Sequence, residues 1–537
     1  MFHLRTEHHR RALCAIAVLL AGFGLLAWRA TKDGIGAAYT DPVLKIRAVD
    51  EALYVNASLR MARDGVWLTP NAFGRLFFQK PPLVYWFSAF SMKVFGLSLF
   101  TIRLPGVLFG AVGGGAVFLW CAKYRSILAG TLAAAMLLSC PVYLAMAHLV
   151  DVNVLVAALI TLAMTTVALD PQMERRSTWI GSGVFTAMAI LAKSAAGVLP
   201  LIALAVYWIV APSRLRPPPA RIVATLGVAV LVAAPWHVYQ LFAHPQWFWA
   251  EYVDMQLLGI GMHPETNGLF NQPQTFYAQR LWQLDPILML YAIAGIAGGI
   301  WAVRSRDRLP ELLALCWTAV TILALASFQA KYLTYVVMLL PPLCVLGGLA
   351  IPRRAILPAA LLLTFKTQPV TPPMEGAKAM HAYYDLQRDT ELIAAETDDD
   401  LYSETLPFHV RYAAVDPSHT LATGKPYYVS LGIVLTRDEF LALPQLQLTY
   451  ARRLREWGEN SSEPIGTAIM LTVPADLTAV IRARPASDFY VPADWSDVIA
   501  QAEPTHWVYR YSGDRVFLLS RSAGSRREPL PPVSVPW

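Results

Sequence analysis

The chain has 537 residues, of which 56% are hydrophobic and only 15% are charged. Soluble domains carry about a quarter charged residues, so this balance excludes an ordinary soluble enzyme and points to many membrane spans. The net charge of +7 falls on short connecting segments, not on one stripe, which excludes nucleic acid as a partner.

In chain order, a basic start leads into an apolar stretch from Leu13 to Trp28. It lacks a signal-peptidase-like site and many spans follow it, so it is expected to be a retained first helix. Residues 29–103 form a long loop. Within it, AVDEALYVNASLRMARDGVWLTP sets Ala52, Val55, Leu59 and Ala62 at helical spacing, which predicts an amphipathic helix lying on the membrane. Asp50 and Glu51 stand ahead of Tyr54 at the start of that helix. They suit either site carboxylates or ordinary first-turn acids favoured by the helix dipole.

Next comes RLFFQKPPLVYW, in which Lys80 sits between two aromatic-apolar runs and before Pro81 and Pro82. Neither proline offers an N–H and each pushes its predecessor towards extended geometry, so the cation stands on a kinked platform. Lys80 suits an anion site or a snorkelling interfacial lysine, and Tyr85 and Trp86 suit substrate contact or an aromatic belt.

A helix needs about 20 apolar residues to cross a bilayer. Such stretches run at 12–28, 104–121, 127–147, 150–169, 179–193, 197–211, 222–242, 286–303, 310–327, 333–350 and, shortest, 355–366, which predicts about eleven spans. With a cytoplasmic N-terminus, one side's connections hold Lys123, Arg125, Arg175, Arg176, Arg214, Arg216, Arg221, Arg304, Arg306, Arg308, Arg353 and Arg354. The other side's short connections hold Lys193, Arg280 and Lys331. That asymmetry follows the positive-inside rule. It sets Lys193, Lys331, His148 and Asp151 at the outer face, with the long loop. Lysines collected there beside acids suit an anionic head group at lipid level.

A second outer loop, 243–285, is rich in Trp, Tyr, Asn and Gln, and carries Trp247, Glu251 and the reserve carboxylate Asp254. Stacking and amide hydrogen bonds hold sugars, although aromatics also favour the interface for its own sake. Cys14, Cys121, Cys140, Cys316 and Cys344 all lie in apolar stretches. They read as small core residues, neither a disulfide set nor a metal site. Beyond residue 366, prolines, the acidic run Asp398–Asp400 and strand-like pieces such as KPYYVSLGIVLT predict a soluble α+β domain over 367–537, facing the outer side. Residues 1–366 are expected to form the membrane-embedded catalytic domain.

Taken together, several motifs resemble the ArnT-like and protein mannosyltransferase-like GT-C glycosyltransferases. They are Asp50-Glu51-Ala52-Leu53-Tyr54, Trp67–Pro70, Lys80–Trp86, Phe95-Gly96 and Arg103–Pro105. Asp151, Leu191–Lys193, Pro235-Trp236 and Lys331-Tyr332 ahead of Pro341-Pro342 continue the match over about residues 40–350. The resemblance implies a GT-C fold and an enzyme that takes a sugar from a polyprenyl-phosphate donor on the outer face of the membrane. The acceptor would be lipid A, another envelope glycan or a protein.

It implies Asp50, with Glu51 and Asp151, as catalytic carboxylates. Lys80, Lys193, Lys331, Tyr54 and Tyr332 would hold the donor phosphate, and Tyr85, Arg103, His148, Trp247 and Glu251 would contact substrate. A bacterial inner membrane with a periplasmic site is the compartment implied. The ArnT group has a charged residue where this chain has Leu53, and an acid where it has Gln79. That acid and a histidine of a later outer loop hold a zinc in the group. Gln79 is a poor ligand and the stretch YVDMQLL has no histidine, although His263 lies nearby, so no divalent metal or other cofactor is expected. A lipid or glycan transporter would instead call for an internal repeat and polar groups at mid-membrane. A non-catalytic GT-C scaffold is the third reading.

Overall fold

The structure, a computed structural model, describes residues 2–30, most of 51–96, then 99–259, 272–306, 309–328, 331–363 and 366, with further strands between 392 and 520. It forms two compact units. The first comprises residues 1–28, 79–84 and 104–369, and the second 29–78, 85–103 and 370–537.

The first unit is a helical bundle. Its helices are α1 (Phe2–Ala30), the start of α2 (Leu83–Phe95), most of α3 (Leu99–Tyr124), α4 (Ile127–Leu138), α5 (Pro141–Ala147), α6 (Val152–Leu169) and α7 (Arg176–Lys193). They continue as α8 (Leu199–Val210), α9 (Pro219–Ala243), α10 (Phe276–Leu284), α11 (Pro286–Arg306), α12 (Leu309–Ser327), α13 (Leu340–Ala350) and α14 (Ile356–Leu362). Local chemistry sets the boundaries. The Ser126 hydroxyl accepts from Ala129 N and caps α4. Pro141 then opens α5 at the position where its missing N–H costs nothing, and Cys140 before it is extended at φ −68°, ψ 125°. The result is a 71° bend between α4 and α5.

Among the described residues, eight helical stretches suffice by length and composition to cross a membrane, or nine if the bent α4–α5 pair is one span. The sequence predicted about eleven, and two places account for the difference. Residues 176–210 form one continuous helical stretch of 35 residues, α7, a 3-10 turn at Ser194–Val198 and α8, where two spans were expected. This stretch is folded into a hairpin. A Cβ on Gly197 would lie 2.2 Å from Ile190 N and 2.3 Å from Ala189 C, whereas residues seven apart in a straight helix stand about 10 Å apart along its axis. The second place is α14, which has seven residues and covers only about 10 Å of a hydrocarbon core some 30 Å thick.

Antiparallel alternation through the short connections gathers the start of α6, the end of α7, the end of α9, the start of α11 and the segment after α12 at one end of the bundle. The arginine-rich connections 170–176, 211–221 and 351–355 lie at the other. Close approach fixes the first of these ends. A Cβ on Gly106 of α3 would fall 2.3 Å from Leu149 O, so only glycine lets α3 pack on the 148–151 turn.

In the second unit, helical residues Glu51, Tyr54, Val55, Ala57, Ser58 and Met61 are all buried. The predicted membrane-lying helix therefore turns this face into protein. Asn71–Ala72 and Arg75–Leu76 pair as a short antiparallel hairpin. Beyond residue 370, one sheet has four strands, Leu392–Ala394, Asp488–Pro492, Val516–Ser520 and Trp507–Tyr509 in spatial order, the first pair parallel and the others antiparallel. A second sheet has three antiparallel strands around Tyr427–Ser430. The expected helical part of that α+β domain lies outside the described residues.

Candidate active site

Lys193 ends α7 because Ser194 leaves the helical region, at φ 38°, ψ −116°. The Lys193 ammonium donates to Asn153 Oδ1 and stands 3.6 Å from the centroid of the Tyr335 ring. This geometry joins a hydrogen bond to a cation–π contact and holds the charge on two sides. Asn153 is itself fixed, since its Nδ2 donates to Asp151 Oδ2 at 3.0 Å. Asp151 Oδ1 accepts from Asn153 N at 2.6 Å and Val154 N at 3.2 Å, capping α6. A carboxylate at a helix N-terminus satisfies orphan N–H groups and opposes the dipole favourably. Asp151 and His148 are 6% and 2% exposed, so neither is the water-exposed loop residue that a plain connection would supply. The His148 Nδ1–H donates to Leu144 O at 2.6 Å at the end of α5.

From Tyr335 the contacts continue to Tyr332, with ring centroids 5.2 Å apart, and so to Lys331. Lys331 is 2% exposed, and its ammonium donates to Phe328 O at 2.6 Å. Among the described residues it has no carboxylate partner, and desolvation lowers its pKa below the ordinary lysine value. Lys80 donates to Gln256 Oε1 at 2.5 Å. Gln256 lies on a π-helical segment, Phe248–Gly259, whose Tyr252 hydroxyl meets His237 of α9 at 2.7 Å. Contacts therefore link Lys193 with Asn153 and Asp151 on one side and with Tyr335 and Tyr332, the chain neighbour of Lys331, on the other. Beside Lys80, Gln79 is buried with its Nε2 unpartnered among the described residues, a donor that a polar ligand would satisfy.

The remaining candidates divide differently. Glu51 and Arg103 lie in the second unit and pair through two bonds, 2.8 and 2.9 Å, with both side chains buried. Arg103 also donates to Ala30 O at 3.2 Å. Such a bidentate pair engages both Glu51 carboxylate oxygens with one guanidinium. Tyr54 and Tyr85 pack on each other at 5.8 Å, with Phe77 6.0 Å from Tyr85, and all three rings are buried. Trp247 is 1% exposed, which removes it as an open stacking platform for sugar. Glu251 is fully buried. Asp50 and His263 fall outside the described residues, as does the Asp254 side chain. Sequence reasoning missed Asn153, Gln256, Tyr335 and His237. Only the spacing Asp151-Val152-Asn153 and the repeat Lys331-Tyr332…Tyr335 were there to find.

Residues 79–262 match the dolichyl-phosphate-mannose-protein mannosyltransferase family. That stretch contains Lys80, Asp151, Lys193 and Gln256. The fold is similar to that of ArnT from Cupriavidus metallidurans in the apo state, with a TM-score of 0.61 over 95% of this chain and 98% of that one at 16% identity. The chain is similar to undecaprenyl phosphate-alpha-4-amino-4-deoxy-L-arabinose arabinosyl transferase 1 of Sodalis glossinidius, 26% identical over 55% of this chain and 53% of the relative. It is also similar to the corresponding transferase of Aeromonas salmonicida, at 25% over 55% and 54%. The chain spans about half the length of these curated relatives. The ArnT of Cupriavidus metallidurans bound to undecaprenyl phosphate shares the fold at a TM-score of 0.56 and 15% identity. With these helices the chain is an integral multi-pass membrane protein.

Proposed function

We propose that the protein transfers a sugar from a polyprenyl-phosphate donor to an acceptor at the outer face of a bacterial inner membrane. The observation that carries this reading is the presence of Lys80, Lys193 and Lys331 at one end of the bundle, with Lys331 buried and facing no carboxylate among the described residues. Such a set suits a phosphate. As the bond from the sugar's anomeric carbon to the phosphate oxygen breaks, its electron pair leaves on the phosphate, and preorganised ammonium groups stabilise that charge best where water is excluded. A new bond forms from the acceptor to the anomeric carbon, and the acceptor's proton passes to a carboxylate.

Asp50 is the carboxylate assigned to that proton. Glu51 instead holds Arg103, and Asp151 fixes Asn153 and thereby Lys193. No step requires a metal. The relatives' printed names point to an undecaprenyl-linked aminopentose as one donor class, and the acceptor is a lipid, glycan or protein of the envelope. Residues 367–537 are assigned to acceptor choice. The orientation follows from the arginines of the connections 170–176, 211–221 and 351–355, which belong to the cytoplasmic side. The test is purified protein with a radiolabelled polyprenyl-phosphate sugar. Transfer or hydrolysis of the label supports the proposal, and Asp50→Asn is expected to lose at least about 100-fold in rate. Movement of intact label across a liposome bilayer, without cleavage, supports a transporter instead.

A further inference from the structure

At the end of the bundle away from the lysines, two arginines lie over tryptophan rings. Arg216 belongs to the connection between α8 and α9. Its Nε donates to Ala211 O at 2.8 Å and its Nη2 to Ile209 O at 3.1 Å, which pins the guanidinium on the last carbonyls of α8, a place that favours a cation. It also stands 5.0 Å from the centroid of the Trp208 ring. Arg221, in the first turn of α9, stands 5.8 Å from the ring centroid of Trp179 in α7. Helices α7 and α9 meet closely near this end, since a Cβ on Gly183 would fall 2.8 Å from Thr225 O. Arg216 and Arg221 are joined through Pro217-Pro218-Pro219-Ala220. Arg216 and Pro218 are extended, at φ −74°, ψ 134° and φ −56°, ψ 131°, so the two arginines stand within roughly 15 Å of each other.

Among the described residues neither guanidinium pairs with a carboxylate, and that of Arg221 makes no hydrogen bond. Asp170, also at this end, is taken up by Arg175 N at 2.9 Å and the Thr178 hydroxyl at 2.7 Å. A stacked ring covers one face of a guanidinium and leaves edge N–H groups for an oxyanion. Ile180, Ile209, Val210 and Val223, each within two residues of Trp179, Trp208 or Arg221, are exposed. Exposed aliphatic side chains on spans face acyl chains, so the guanidiniums stand where acyl chains give way to head groups. A soluble phosphate would have no use for that apolar rim. We infer that Arg216 and Arg221, each backed by an indole, hold the phosphodiester groups of anionic phospholipid at this surface of the membrane. The site makes no use of Lys80, Lys193 or Lys331 and is independent of the donor that those lysines serve.

The probes are dioleoylphosphatidylglycerol and dioleoylphosphatidylcholine, titrated onto the purified full chain in detergent, with bound lipid counted by native mass spectrometry. The unmodified protein is expected to prefer the anionic lipid by at least about tenfold, and Arg221→Gln to lose about fivefold of that preference. Arg221 makes no side-chain hydrogen bond within the described fold, so this variant removes the charge without uncapping α8. Arg216→Gln with Arg221→Gln should bring the two lipids to within about twofold of each other. Arg304→Gln with Arg354→Gln takes the same charge from two exposed positions at this end and should leave the preference in place. An equal loss in that control assigns the effect to net charge and overturns the site. So does an unmodified protein with no preference, or an Arg221→Gln protein that keeps all of it. If soluble glycerol 1-phosphate displaces phosphatidylglycerol at equal concentration, the site belongs to a soluble anion and the lipid assignment falls.

Discussion

Among the described residues Lys331, itself 2% exposed, has one carbonyl partner and no carboxylate, and desolvation lowers its pKa. Burying a cation without a counter-ion is costly, and a bound phosphate diester would supply the missing charge. The sign of the resulting pH dependence is fixed. The anion binds the protonated lysine, so affinity is highest below the lowered pKa of the free protein and falls as pH rises through it. Binding of a polyprenyl-phosphate sugar, whose diester does not titrate in this range, should weaken in a titration from about pH 7 to about pH 10. Lys331→Arg should flatten that decline, since guanidinium stays charged throughout; an equally steep decline in Lys331→Arg would assign the titration elsewhere. Lys80, Lys193, Lys331 and Asp151 were legible in the sequence because a charge inside an apolar run stands out. Asn153 and Gln256 were not, because their weight comes from tertiary contact alone. Trp247 misled for the converse reason, since aromatic enrichment in a loop does not reveal which rings end up enclosed.

Among the elements, the α4–α5 break was written in Cys140-Pro141, and its bend follows from proline geometry. What secures it was not visible. The Lys366 ammonium, just past α14, pairs with Asp285 at 2.7 Å with both side chains buried, and donates to Ser139 Oγ at 3.0 Å beside the break. Asp285 Oδ1 in turn accepts from Leu288 N at 3.0 Å and caps α11. Three elements far apart in sequence thus meet on one buried ion pair. Removing one partner leaves the other charge buried, so Asp285→Asn should destabilise the protein by about 3–5 kcal/mol. Joint replacement, Asp285→Asn with Lys366→Met, should recover most of that loss, as read by thermal unfolding in detergent. If the single variant melted like the unmodified protein, the pair would have no such fastening role. No periodicity could have announced this contact, because Lys366 lies where the apolar pattern has already ended. The same reliance on apolar length made 355–366 look like a span, whereas α14 stops after seven residues.

For the molecule as a whole, alternation of spans and the arginine-rich connections agree on one arrangement, with the lysines at the end opposite the arginines. Hydropathy and charge bias were enough to read this from sequence, since both are properties of composition along the chain. The span count differs because 176–210 runs as one continuous helical stretch that folds back near Gly197, and because 355–366 holds a helix of only seven residues. The account's central claim is that ammonium groups at that end grip a phosphoryl leaving group. Its most direct test is the rate of sugar release from a polyprenyl-phosphate donor by the purified protein and its Lys80→Ala variant. The account predicts measurable release by the unmodified protein and a loss of at least about 100-fold in the variant, roughly the effect of removing one preorganised group that stabilises the leaving charge. Equal rates in the two proteins would contradict it.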